Sequence, residues 1–165
     1  MVRHQLDVMH TEKNVCESIY GTLLHQSRKI KDITNARKDL THPELREKIN
    51  KAFIALASDE QNKVLPLALY TLSKKEKQIL CETLQGVKVP DAYCSNFRNL
   101  VLMDDCHLHG LKSHDCHTLM QNLQPLAIQN CLPHNVKSVI IRLRLFFNSL
   151  CSKVVEPDSL NQLQK

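Results

Sequence analysis

The chain contains 165 residues, enough for one domain or two small ones, and its 42% of apolar residues can form a hydrophobic core. Three Gly and six Pro are too few for a turn-rich β protein, and the absence of Trp requires a core built largely from Leu, Ile and Val. Seven scattered Cys indicate a reducing, intracellular setting rather than a disulfide framework, and a net charge of +5 is compatible with DNA binding without requiring it.

The N-terminal region predicts a helix over about residues 10–24. Apolar side chains recur there at helical spacing, at Val15, Cys16, Ile19, Tyr20, Leu23 and Leu24. The residues before it, Met1 to Gln5, contain no apolar run, so no secretory signal is expected. After it, the basic and polar stretch from Ser27 to Lys38 is predicted to be an exposed connection.

Three further elements are predicted in the middle of the chain. The first is a helix that begins at Pro43 and carries apolar residues at helical spacing, Leu45, Ile49, Ala52, Phe53 and Leu56. The second begins after Ser73, which forms a capping box with Glu76, and stops at Gly86. Residues 87–95 read as a loop, and a short helix then includes Phe97, Leu100 and Val101.

Two helices are predicted after Gly110. Ser113 can cap the first, and Pro125 kinks or ends it. Its apolar face carries Cys116, Leu119, Met120 and Leu123, and its polar side carries His114, His117, Gln121 and Gln124.

The last helix is predicted from about Val136 to Val154. Its core stripe comprises Val136, Val139, Ile140, Leu143, Phe146, Phe147, Leu150 and Val154. Arg142 and Arg144 interrupt its most apolar part, so it should not span a bilayer and no membrane partner is expected. The fold class is therefore mostly α, an irregular assembly of about five to six helices.

Several strings occur in a fixed order along the chain. They are Leu6–Cys16 with Gly21–Leu24, Tyr70–Lys77, Cys81–Leu84, Gly86–Asp91, Gly110–His117 and Arg142–Asn148. On these strings the chain resembles the C-terminal part of transposases of plant CACTA (En/Spm) elements. The resemblance implies the tail of an RNase H-like catalytic domain over residues 1–40, a divergent linker helix over 41–67 and a helical domain of unknown function over 68–165. It also implies a nuclear location.

The resemblance further implies that Asp7 or Glu12 matches the last catalytic carboxylate of the family, with His10 beside them as a candidate metal ligand. In such enzymes several carboxylates hold two divalent ions, which activate water and stabilise the leaving oxygen. The family's earlier aspartates would lie upstream of Asp7. We therefore expect no catalytic activity from these residues alone, and Mg²⁺ only within an intact catalytic domain. The alternative is that Asp7 is a helix N-cap and Glu12 a first-turn partner of the helix dipole.

A group of Cys and His residues suggests a second chemistry. Cys106, His109, His114 and His117 are candidate ligands of a tetrahedral zinc ion. Their spacing matches no zinc-finger pattern, and helix phase places the neighbouring Cys116 on a core face as a small apolar residue. We therefore expect no zinc at these residues and no other cofactor.

Basic side chains after the first helix can contact DNA phosphates. They are Arg28, Lys29, Lys31, Arg37 and Lys38. No aromatic residue interleaves them, so binding by base stacking is not indicated and any DNA contact should be non-specific. A solvated basic loop is the alternative.

The predicted function is that of a transposon-derived fragment without catalytic activity alone. The alternatives are a domesticated helical module that binds DNA or other protein chains, and a gene remnant.

Overall fold

A computed structural model of the chain describes residues 7–27, 29–32, 36, 68–88 and 96–152. In order, their elements are α1 (Val8–Leu23), α2 (Lys74–Gly86), α3 (Phe97–Leu100), β1 (Val101–Leu102), β2 (His107–Leu108), α4 (Ser113–Thr118), a π-helical segment (Leu119–Leu123), α5 (Gln124–Ile128) and α6 (His134–Cys151). The predicted mostly α, irregular helical assembly is confirmed. The predicted linker helix over 41–67 lies outside the described residues.

Helix α1 begins two residues earlier than the sequence predicted and buries one stripe of its surface. Asp7 is its N-cap, and the Asp7 carboxylate accepts a hydrogen bond from the His10 backbone N–H at 2.9 Å. Cys16, Tyr20 and Leu23 are buried at i, i+4 and i+7. Gly21 permits the chain to fold back after the helix, because a Cβ there would lie 3.0 Å from the Lys29 carbonyl oxygen and would overlap the Lys29 side chain.

Helix α2 has the predicted capping box and ends at the predicted glycine. The Ser73 N–H donates to Glu76 Oε2 at 2.8 Å, and Ser73 Oγ accepts from the Glu76 N–H at 3.3 Å. Leu80, Cys81 and Leu84 are fully buried. This face contacts α3 and α5, so α2 forms one wall of the core.

The predicted short helix is α3, and a β-hairpin that the sequence did not indicate follows it. Val101 pairs with Leu108 in the antiparallel ribbon of β1 and β2. The turn between them places Cys106 at a φ of 47°, in the left-handed region that non-glycine residues seldom adopt. Each strand has two residues, which is too short for an alternating apolar pattern to be recognised in the sequence.

Pro125 changes the hydrogen bonding of the helix that follows Gly110. Because Pro has no N–H, the carbonyl of Gln121, four residues earlier, loses its α-helical donor. The turns ahead of it are π-helical, and Arg144 Nε of α6 donates to the Gln121 carbonyl oxygen at 2.7 Å. The predicted kink therefore takes the form of a π-helical segment, and the carbonyl it frees is bound by α6.

The predicted faces of this helix are only partly correct. Cys116, Leu119 and Met120 are fully buried as predicted. Gln124, assigned to the polar side, is also fully buried. His117 and Gln121, assigned to the same side, face α1. The N-cap is Lys112 rather than Ser113, and the Lys112 N–H donates to Asp115 Oδ2 at 2.9 Å.

Helix α6 buries a narrower stripe than the sequence predicted. Val136, Ile140 and Phe147 are buried, and Leu143 and Leu150 are half-buried. Val139 and Phe146, both assigned to the core, are 56% and 42% exposed. A single helix face packs against α1 and α5, and these two residues lie to one side of it. Val154 lies outside the described residues.

Two further expectations concern cysteines and membranes. Every cysteine in the described ranges is a free thiol, and all of these thiols except that of Cys151 are buried. None of the helices in those ranges has both the length and the apolar content of a membrane span.

The different burial of two adjacent aromatic rings predicts different mutational effects. Phe147→Ala should lower the free energy of unfolding by about 3–5 kcal/mol, because the ring is 2% exposed and its removal leaves a cavity. Phe146→Ala should cost about 1 kcal/mol, since that ring is half in solvent and mainly loses its edge contact with Phe147. Urea unfolding followed by circular dichroism measures both, and equal losses would contradict the assigned burial.

Candidate functional site around Glu12

A glutamate with no exposure to solvent lies between α1 and α4. The Glu12 side chain is 0% exposed, and its Oε2 lies 2.6 Å from His117 Nδ1, a hydrogen-bond distance. Its other oxygen, Oε1, accepts a hydrogen bond from Gln121 Nε2 at 2.9 Å. Both oxygens therefore have partners, as a carboxylate removed from water requires.

Helix geometry brings these three side chains together. His117 and Gln121 are four residues apart, so they lie one above the other on the same face. Glu12 precedes Cys16 and Tyr20 at the same four-residue interval on α1, and both of those side chains are buried. Glu12 is thus the polar end of the stripe that α1 presents to α4.

Cys151, the last residue of α6, completes the site from a third helix. Its Sγ, His117 nitrogen and Glu12 carboxylate oxygen all lie within 4.8 Å of one another. Burial, together with the nearby charge of Glu12, raises the pKa of Cys151, and a hydrogen bond with Gln121 partly offsets this. The site therefore offers one oxygen, one nitrogen and one sulfur donor.

A pair of buried cysteines lies one turn further along the same interface. Cys16 and Cys116 are both fully buried. The hydrogen bond with Cys116 and the burial of the thiol raise the pKa of Cys16, so Cys16 is a neutral packing group. Burial also raises the pKa of Tyr20, whose hydroxyl has no hydrogen-bond partner within the described part of the chain.

The two carboxylates assigned to catalysis have different environments. Asp7 is exposed and caps α1, which confirms the N-cap interpretation. The interpretation of Glu12 as a first-turn partner of the helix dipole is wrong, because α1 begins at Val8 and Glu12 lies in its second turn, turned inward. His10 is exposed and takes part in the cap through its backbone N–H. A catalytic role for these residues remains a prediction.

The four zinc candidates of the sequence do not come together as a set. Cys106 is buried in the hairpin turn and its thiol donates to the Met103 carbonyl oxygen at 3.7 Å. His109 and His114 are exposed, whereas His117 contacts Glu12. The only three-ligand group found among the described residues contains Glu12, His117 and Cys151, so it shares one member with the predicted set.

Two of the five basic residues assigned to DNA contact can be located. Lys29 forms an ion pair with Glu17, with Nζ 3.4 Å from Oε1. Lys31 is exposed, and its backbone N–H donates to Thr22 Oγ1 at 3.1 Å. The side chains of Arg28, Arg37 and Lys38 lie outside the described residues. Lys31 is therefore the exposed basic side chain on the described part of this turn.

An apolar groove of about 520 Å³ lies beside the buried stripe of α1. Val15 and Ile19 of α1, Val136 and Ile140 of α6, and Tyr70 supply its apolar lining. The groove is separate from the polar contacts of Glu12, so the described residues of α1 present one face to α4 and an adjacent one to the groove.

Comparison of the chain with protein-family models, with curated proteins and with solved structures finds no match. Its function has to be inferred from the residues of the chain itself. Its distinctive chemical feature is the fully buried carboxylate with partners from two other helices.

The contact between Glu12 and His117 predicts a measurable loss of stability on truncation. His117→Ala should lower the free energy of unfolding at pH 7 by about 3 kcal/mol, because it leaves a buried carboxylate without one of its two partners. His109→Ala is the control, since His109 is an exposed His at the end of the hairpin, and it should cost less than about 0.5 kcal/mol. Urea unfolding in the presence of a chelator measures both, and an unchanged His117→Ala variant would contradict the assigned contact.

Proposed function

We propose that this chain is a transposon-derived helical fragment, similar to the C-terminal part of a CACTA-type transposase, and that it has no nuclease activity by itself. The burial of Glu12 supports this proposal most strongly. A catalytic carboxylate must present its oxygens to metal ions that also contact the substrate phosphate. Glu12 is 0% exposed and both of its oxygens already have protein partners, so a DNA strand has no access to it.

Asp7 is the other carboxylate assigned to catalysis, and it is poorly suited to act alone. Its side chain is exposed, but one oxygen caps the first turn of α1. Two-metal catalysis of phosphodiester cleavage needs ligands for both ions. One exposed carboxylate at a helix end does not provide them.

The proposed role is that of an accessory helical unit. Two of the strings that carry the transposase resemblance cover most of α1 and of α4. These helices pack on each other through Glu12, His117 and the two buried cysteines. In this proposal the residues shared with the transposases serve folding rather than chemistry. A nuclear location follows from the same resemblance.

An assay for DNA nicking tests this function directly. Supercoiled plasmid incubated with the purified chain and Mg²⁺ or Mn²⁺ should remain as intact as plasmid in buffer. The matched variant is Asp7→Asn, which removes the charge and keeps a good N-cap. Nicking by the parent chain that disappears in Asp7→Asn would overturn the proposal.

The second candidate function is a domesticated module that binds DNA without cutting it, and the exposed Lys31 after α1 favours it. A protein-binding form has weaker support: Val139 and Phe146 are exposed on α6, but isolated exposed apolar side chains are normal on protein surfaces. Dispersed basic side chains would contact the phosphates of DNA rather than its bases. Binding would then be weak and independent of sequence.

The salt dependence of DNA binding should differ between variants of Lys29 and Lys31. Fluorescence anisotropy with two unrelated duplexes should give similar affinities that fall steeply with salt. Lys31→Ala should reduce the slope of log affinity against log salt by about the amount that one phosphate contact contributes. Lys29→Ala should reduce it less, because Glu17 already neutralises Lys29. A marked preference for one duplex at physiological salt would contradict non-specific binding.

A further inference from the structure

The site around Glu12 brings possible metal-ligand atoms from three helices close together. A carboxylate oxygen of α1, an imidazole nitrogen of α4 and the sulfur at the end of α6 lie within 4.8 Å of one another. Mg²⁺ and Ca²⁺ prefer sites made of oxygen atoms alone. A mixed oxygen, nitrogen and sulfur set is instead typical of zinc and related transition metals.

We propose that Glu12, His117 and Cys151 bind one divalent transition-metal ion of the zinc type, with water as the fourth ligand. The ion would connect α1, α4 and α6. This site is distinct from the zinc set that the sequence suggested, because it takes His117 from that set and adds two residues from distant parts of the chain.

The distances suit such an ion after a small adjustment. A tetrahedral zinc ion with ligands at about 2.0–2.3 Å holds its ligand atoms about 3.3–3.6 Å apart. The Glu12 to His117 contact is 2.6 Å, and the largest separation in the group is within 4.8 Å. The required distance lies between these values. The His117 side chain is 30% exposed and Cys151 lies at an exposed helix end, so both can move by the required amount.

The surroundings also favour a cation. Within the described residues, no Lys or Arg forms an ion pair with Glu12, although the carboxylate is fully buried. Gln121 holds Oε1, so Oε2 would be the metal ligand, with the ion replacing the hydrogen bond between Oε2 and His117 Nδ1. Such a hydrogen bond to a ligating carboxylate is the usual support of a metal site. The partial exposure of His117 and Cys151 provides a path for the ion and its water.

Cobalt binding tests the proposal because Co²⁺ occupies zinc sites and reports its ligands by colour. The full chain, stripped of metal, is titrated with Co²⁺. We expect one equivalent to produce the visible bands of tetrahedral cobalt together with a near-ultraviolet thiolate-to-cobalt charge-transfer band. Added Zn²⁺ should remove both. Absence of the charge-transfer band in folded protein would overturn the proposal.

The matched variants identify the ligands. Cys151→Ser replaces an exposed residue at a helix end, so the fold should be retained, as circular dichroism verifies. It should abolish the charge-transfer band. It should also weaken zinc binding by about 10-fold or more, because the loss of a residue that only supports a ligand already lowers metal affinity by about that factor. His109→Ala, which changes an exposed His at the end of the hairpin, should keep both properties. A charge-transfer band that survives in Cys151→Ser would place the ion on other thiols and refute the site.

Thermal unfolding gives an independent measurement. Zinc that binds the folded chain should raise the melting temperature of the parent and of His109→Ala, and should raise that of Cys151→Ser by less. An equal rise in all three would contradict the site. The result does not depend on the proposed transposase origin, because a chain that is inactive on DNA would give the same cobalt spectrum.

Discussion

The arrangement of α1, α4 and α6 depends on supplying partners for the buried carboxylate of Glu12. A charged carboxylate loses several kcal/mol of hydration when it is buried, so each of its oxygens needs a partner in the fold. Glu12 obtains them from His117 and Gln121, one helical turn apart. This requirement fixes which face α4 turns toward α1. A second contact, between Cys16 and Cys116 one turn further along α1, adds another fixed point between the two helices.

Gln121 links this interface to α6. Its side chain donates to Glu12, and its carbonyl oxygen, freed because Pro125 has no N–H, accepts from Arg144. A helix break that removes the α-helical donor of a part-buried carbonyl thus becomes a connection between helices. Cys151 lies seven residues, or about two turns, after Arg144 and so on the same side of α6. The polar contacts of Glu12 and the break at Pro125 are therefore parts of one arrangement.

The sequence predicts the elements better than their contacts. The capping box of Ser73 and Glu76 and the helical spacing of α1 depend on near neighbours, so local patterns reveal them. The contact of Glu12 with His117 joins residues 105 positions apart, and no local pattern reports it. Polarity placed His117 and Gln121 in solvent, whereas their contacts with Glu12 turn them toward α1 and leave them half-buried. Periodicity also overestimated the buried part of α6, because it counts apolar residues without showing which of them meet a neighbour.

Burial has opposite consequences for the two chemistries considered for Glu12. A phosphodiester with its flanking nucleotides cannot reach a side chain that is 0% exposed, so burial argues against a catalytic role in DNA cleavage. A single metal ion can enter past His117 and Cys151, which retain contact with solvent. Once inside, the ion would interact more strongly with the carboxylate than it would in water, because the local dielectric constant is lower. The same lack of exposure that argues against a role for Glu12 in DNA cleavage therefore favours the proposed binding of a small cation.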